Sequence, residues 1–264
     1  MSEPQRPTGT DPVTRPIISS VADLVKTLMP ITSSGNEYWY RGHRDITWRL
    51  EASVFRNPQH REGEKSMLAR FRQEAAVAGM PFGFDNWGWI TYAQHHTLPT
   101  RLLDWSQSPL AALFFAAELK EAEVDVVEPD GEFFVLQPHA LNDEAGDAGG
   151  GHPRLLADGD KKLADYLPGM DGAEPGKPRA VVAPNKFDRI RFQAGTFTVA
   201  QAPTAATGVE ALRQVRALQP FRVPGTNKKD IRAELVVLGY NEVTIYRDLD
   251  RIATRIKTSH GRAL

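Results

Sequence analysis

The stretch from Ser108 to Glu118, SPLAALFFAAE, constrains the fold more than any other part of the chain. A serine followed by a proline is a helix start signal: the hydroxyl accepts a free backbone N–H, and proline has none to lose at the first position. From Leu110 to Ala117 no side chain is polar. A helix apolar on every side has to be enclosed, so the segment predicts a central buried helix packed by other elements. At 264 residues the chain is long enough to enclose one without covalent staples.

The remaining pattern supplies the partners. Val21, Leu24, Val25 and Leu28 recur at helical spacing and predict a helix over 19–29, ended by Pro30. EYWYRG reads as a strand, with TWRLEASVF as a second extended piece. Met67, Leu68, Phe71 and Ala75 form a stripe on a helix over 62–78, and a further helix is expected over 86–95. GEFFVLQP is a strand. Residues 139–178, rich in Gly, Asp, Ala and Pro, read as an excursion from the core. Strands are then expected at AVVAP, DRIRFQAGTFTV and VTIYRD, helices over 209–217 and 249–256, and a helix or strand at IRAELVVLG. Strands and helices mix with no repeated βαβ period, so the fold class is α+β, with mixed or antiparallel sheets. Residues 1–15 read as a disordered tail and 16–258 as a single domain.

Several function classes drop out. The chain has no cysteine, which excludes thiolate nucleophiles and cysteine metal sites. P-loop, GxGxxG and GxSxG patterns are all absent. Thirty-two Lys and Arg balance thirty-three Asp and Glu, so no net field gathers nucleic acid. A cation-rich run, Arg41, His43, Arg44, Arg49 and Arg56, reads most simply as a solvated face. No stretch approaches the roughly 20 apolar residues of a membrane span, and the first residues lack an apolar leader, so a cytoplasmic location and no membrane partner are expected.

Two segments could carry chemistry. In Tyr38-Trp39-Tyr40-Arg41-Gly42 an arginine ends an aromatic strand, where it could grip a phosphate or carboxylate as a bidentate fork, while Gly42 lets the chain turn or a ligand approach. A structural ion pair is the plainer reading of Arg41. The second runs from Tyr92 through His95 and His96 to Arg101, Asp104, Trp105, Ser106 and Ser108. It ends at a helix N-terminus, whose free N–H groups favour anions. Plain alternatives exist for each: Ser108 as N-cap, Asp104 paired with Arg101, Trp105 in the core. Adjacent histidines point apart, so a shared metal ion is not expected at His95 and His96.

Together these segments resemble the FRG domain family. Tyr40-Arg41-Gly42 is similar to its aromatic-Arg-Gly signature, and HHTLPTRLLDWSQSPLAALFFA to its most distinctive stretch; Ser106 stands where threonine is commoner. Arg189-Ile190, Gln193 to Phe197 and Ile245 to Asp250 extend the likeness over roughly Val21 to Ile256. FRG domains are described as being of unknown function, often in bacterial and phage-conflict settings, which implies a toxin or defence role.

A more distant resemblance is to ADP-ribosyltransferase domains of the Arg-Ser-Glu type, carried by Arg41-Gly42 and by Asp104 to Ser108 leading into Ala111 to Ala116. It implies an ADP-ribosyltransferase-like core with NAD as cofactor and a protein or nucleic-acid acceptor. The reaction needs cation clamps on the pyrophosphate and a carboxylate near the ribose. On that resemblance the catalytic set is Arg41, His95, Arg101, Asp104 and Ser106, with the late residue open between Gln193, Glu234 and Glu242. The nucleotide would rest against Tyr40, Arg41, Gly42, His96, Trp105 and Ser108. The rival reading is a non-catalytic module that senses a nucleotide, a nucleic acid or a partner protein. A late glutamate facing Arg41 and Ser106 would favour turnover; its absence favours binding.

Overall fold

The computed structural model describes residues 15–33, 35–78, 83–119, 128–147, 152–171, 176–183, 196–202 and 211–246. In chain order the main elements are α1 (Val21–Thr32), β1 (Trp39–His43), a 3-10 turn (Ser53–Arg56), α2 (Pro58–Val77), α3 (Asn86–His95), β2 (Leu102–Trp105), α4 (Pro109–Ala116), β3 (Gly131–Leu136), α5 (Pro138–Glu144), β4 (Arg154–Leu155), β5 (Arg179–Val182), β6 (Thr196–Val199), β7 (Leu218–Val223), α6 (Lys228–Val237) and α7 (Glu242–Tyr246).

The strands form two small sheets. One has the order β1-β3-β7, antiparallel throughout; the other, β2-β6-β5-β4, is antiparallel except for its β4–β5 edge. The fold is therefore α+β with mixed sheets.

Side-chain alternation sorts the apolar residues into three cores. Tyr40, Phe133, Val135, Phe221 and Val223 turn one face of the first sheet toward Leu24 of α1, Leu113 of α4 and Ile231 of α6. Trp39, Phe134 and Leu136 turn the other face toward Leu103, Trp105 and Ala180 of the second sheet. Leu102, Val181, Phe197 and Val199 close the far face against Leu68 of α2 and Ile90 of α3. The result is helix, sheet, sheet, helix.

The apolar helix lies where expected. Ser108 accepts a hydrogen bond from Ala111 N at 3.3 Å and Pro109 opens α4, while Leu113 and Phe114 are buried. Full burial of each such side chain contributes about 1.5–3 kcal/mol. Glycine permits the close approach beneath it: a Cβ at Gly42 would lie 2.0 Å from the Ala112 carbonyl oxygen and 2.5 Å from Ala116 N. Gly131, on β3, meets the Ala116 carbonyl in the same way. Alanines on the helix and glycines on the strands let backbones touch.

Several elements differ from the sequence reading. Helix α1 continues through Pro30 to Thr32 instead of ending there, and of the helix expected over 209–217 the described residues form only a 3-10 turn over Ala211–Gln214. TWRLEASVF is a loop entering the 3-10 turn rather than a strand. LQPFRV is a strand, β7, despite Pro220; the missing N–H falls on the side away from β3, where Arg222 N bonds to Pro16 O. VTIY forms the short helix α7, because the Asn241 side chain accepts from Val243 N and Thr244 N and starts a turn. Within 139–178, Leu141, Leu156, Leu163 and Tyr166 are buried, so part of that segment is core. The closing helix expected over 249–256, and most of DRIRFQAGTFTV, lie outside the described residues. No helix among the described residues is long and apolar enough to cross a membrane.

Candidate functional site

Among the described residues one pair joins the two sheets by backbone hydrogen bonds: Tyr40 N donates to Ser106 O at 2.7 Å and Ser106 N to Tyr40 O at 2.8 Å. Beyond it β1 and β2 part, and Arg41 occupies the opening. Its Nη1 donates to the Asp104 carbonyl oxygen, and its Nε to Nε2 of His43 at 3.0 Å. Both acceptors are neutral. The guanidinium is therefore held in place by hydrogen bonds to neutral atoms, while burial lowers its pKa to about 10 and the nearby Asp104 charge pulls it back up. It stays fully cationic near pH 7.

His43 explains how that orientation is held. It lies two residues along β1, on the same face as Arg41, with Phe134 edge-on at 5.1 Å. Burial, then the charges of Arg41, Arg213 and Arg56, depress its pKa to about 2, so the ring is neutral. Because Nε2 accepts, the proton sits on Nδ1, a buried atom without a hydrogen-bond partner.

Asp104 is open to solvent, yet the protein packed around it raises its carboxyl pKa, with Arg41 and a Gln94 hydrogen bond pulling the other way. Gln94, near the end of α3, orients it: Nε2 donates to Asp104 Oδ2 at 2.8 Å, while Oε1 accepts from Thr100 Oγ1 at 2.5 Å. Arg56 completes the group. It is exposed, its guanidinium donates to the Glu51 carbonyl at 2.9 Å, and its charge reaches Arg41, His43 and Asp104. Arg41, Arg56, Asp104 and Gln94 thus gather two cations and one oriented carboxylate, of which Arg56 and Asp104 are exposed.

The structure separates the other residues singled out from sequence. Arg101 is a correction: it is buried, not paired with Asp104, and bonds to Glu64, to Tyr166 O at 2.8 Å and to Asp171 at 3.1 Å, so it ties elements together instead of facing a ligand. Gly42 packs against α4 as described and leaves no room there for a ligand. Trp105 is buried, its indole N–H donating to Thr198 Oγ1 at 3.0 Å, and Tyr40 is buried under α4. The Ser106 hydroxyl accepts from Ser108 N at 3.0 Å; Ser108 caps α4 and meets the Tyr240 hydroxyl at 3.2 Å.

His95 and His96 end α3, ring to ring at 5.1 Å, with His96 against Tyr92 at 4.6 Å. Glu234 sits on α6 and accepts from Val21 N at 2.6 Å, fastening the start of α1, and Glu242 pairs with Arg232 at 3.4 Å. Neither faces Arg41. Gln193 lies outside the described residues. Among the described residues no group of three or more His, Asp or Glu is placed to hold a metal ion.

His43, Arg56 and Gln94 were not chosen from sequence. The period of two in a strand carried the signal for His43, and Gln94 stood beside the chosen histidines.

Residues 36–125 match the family model of the FRG domain, a segment that spans β1, β2 and α4 and every residue of this group. No curated protein and no solved structure matches the chain.

Proposed function

We propose that this chain, which carries an FRG domain, binds a nucleotide or NAD-like ligand through its phosphates at Arg41 and Arg56. The observation that carries the reading is the Arg41 guanidinium, fixed by two neutral acceptors, with a second cation, Arg56, and the Asp104 carboxylate near it. A cation already oriented loses little freedom on meeting a phosphate, and the bond it makes is charge-assisted. The Gln94 hydrogen bond that steadies the exposed Asp104 carboxylate supports a role for it as acceptor from the ribose hydroxyls of the same ligand.

The likeness to an ADP-ribosyltransferase core has support in the side-by-side placement of the Arg41 strand and the strand leading through Ser106 into α4. Binding is favoured over turnover because Glu234 and Glu242 are engaged elsewhere, on helices. Transfer to a protein or nucleic-acid acceptor is the second reading, and the carboxylate of Asp104 beside Arg41 is the observation in its favour.

Calorimetric titration with ADP-ribose and NAD tests the first reading: binding is expected for the wild type and lost in Arg41→Ala, and equal affinity in the variant would refute it. Incubation with adenylate-labelled NAD and cell lysate tests the second, through nicotinamide release and label transfer that vanish in Asp104→Asn.

A further inference from the structure

We infer that Trp48 is the residue on which the base of the bound nucleotide stacks, making the ligand class a phosphate carried on an aromatic base rather than a bare sugar phosphate. The inference rests on the phosphate site proposed at Arg41.

Trp48 is 42 % exposed, an unusual state for so large an apolar side chain. The loop that carries it is anything but loose. Asp45 Oδ1 accepts from Thr47 N at 2.9 Å and from Thr47 Oγ1 at 2.7 Å, Trp48 N donates to Asp45 O at 3.1 Å, and Ile46 N donates to Asp130 O at 2.7 Å. The Trp48 carbonyl accepts from Arg213 Nη2 at 3.1 Å, and the Arg44 carbonyl from buried Lys228 at 2.6 Å. The backbone is thus pinned on both sides of an indole left open to water. A side chain exposed only by loop mobility would not need such fastening.

Its neighbours suit a base. The Arg44 guanidinium carbon lies 5.1 Å from the indole centroid, a cation over the ring. The His43 ring is 6.2 Å from the indole, and the same imidazole accepts from Arg41. One imidazole therefore adjoins both the indole and the Arg41 guanidinium, which puts the stacking surface and the proposed phosphate site on either side of the same side chain. Stacking of a base on an aromatic ring is tolerant of base identity, so the presence of a base, rather than one particular hydrogen-bonding edge, is the requirement to test.

The experiment titrates ADP-ribose and ribose 5-phosphate, which lacks the base, into wild type, Trp48→Ala, Trp48→Phe and Arg41→Ala, with a thermal melt on each to confirm folding. The expected result is ADP-ribose affinity at least tenfold weaker in Trp48→Ala and largely restored in Trp48→Phe, with ribose 5-phosphate unaffected by either. Unchanged ADP-ribose binding in Trp48→Ala, or equal loss of both probes, would overturn the inference while the loss in Arg41→Ala kept the phosphate site. No binding of either probe by the wild type would overturn both.

Discussion

Gly42→Ala separates two explanations of the arginine–glycine pair, since a glycine there serves either helix packing or ligand approach. A methyl at position 42 would stand 2.0 Å from the Ala112 oxygen and 2.5 Å from Ala116 N, where ordinary contact begins at 3.4 Å. Both obstacles are backbone atoms, so no rotamer change relieves them. Helix α4 would have to retreat by about 1 Å or more, unseating Leu113 and Phe114, which are buried in its core. The expected cost is about 3 kcal/mol or more, or roughly 6–12 °C in melting midpoint for a domain of this size.

Gly63→Ala is the control. Gly63 lies inside α2 with nothing nearer a new Cβ than Ser66 Oγ at 3.9 Å, so alanine should stabilise by about 0.5–1 kcal/mol. Denaturant unfolding of both variants reads the two opposite signs. A Gly42→Ala protein that unfolds like the wild type but no longer binds ADP-ribose would refute the packing argument.

Two further predictions concern charge. Arg101→Met leaves Glu64 buried without its partner and should cost about 3–5 kcal/mol. Pairing it with Glu64→Met should recover much of that in denaturant unfolding, whereas a double variant no better than the single would show the pair is not the cause. Burial alone would raise the Asp147 carboxyl, but hydrogen bonds from Arg154 and Lys162 and the charge of Arg179 bring it down from 3.8 to about 2. A depressed carboxylate stabilises above its unfolded pKa, so about 2 kcal/mol should be present at pH 7 and disappear as pH falls from about 4 toward 2. Asp147→Asn should remove that acid limb from the stability profile, and an unaltered profile would count against it.

Local chemistry made some of this visible in the chain. Ser108-Pro109 marks the start of α4 because capping acts within one turn, and α3 spans the 86–95 expected of it. Where distant residues decide the structure, the sequence was opaque. Arg101 is held by Glu64 and Asp171, 37 and 70 positions away, so nothing near it revealed that its charge was already matched. β7 hid behind Pro220, whose placement is acceptable only because its nitrogen faces outward from β3. Arg41 and Asp104 both stood out in the sequence, and the structure brings them together; that Arg41 contacts the backbone oxygen of Asp104 rather than its carboxylate was not legible there.

The parting of β1 from β2 gives Arg41 a second employment. In an antiparallel ladder that went on past Tyr40 and Ser106, the next reciprocal pair would join Gly42 to Asp104. The Asp104 carbonyl takes the arginine's Nη1 in its place. One side chain thus acts as the splint of a fork, standing in for a missing rung while it keeps its charge. A lysine would keep the charge but not the planar, many-armed geometry, so the seam between the sheets and the proposed grip on an anion would be joined in a single residue.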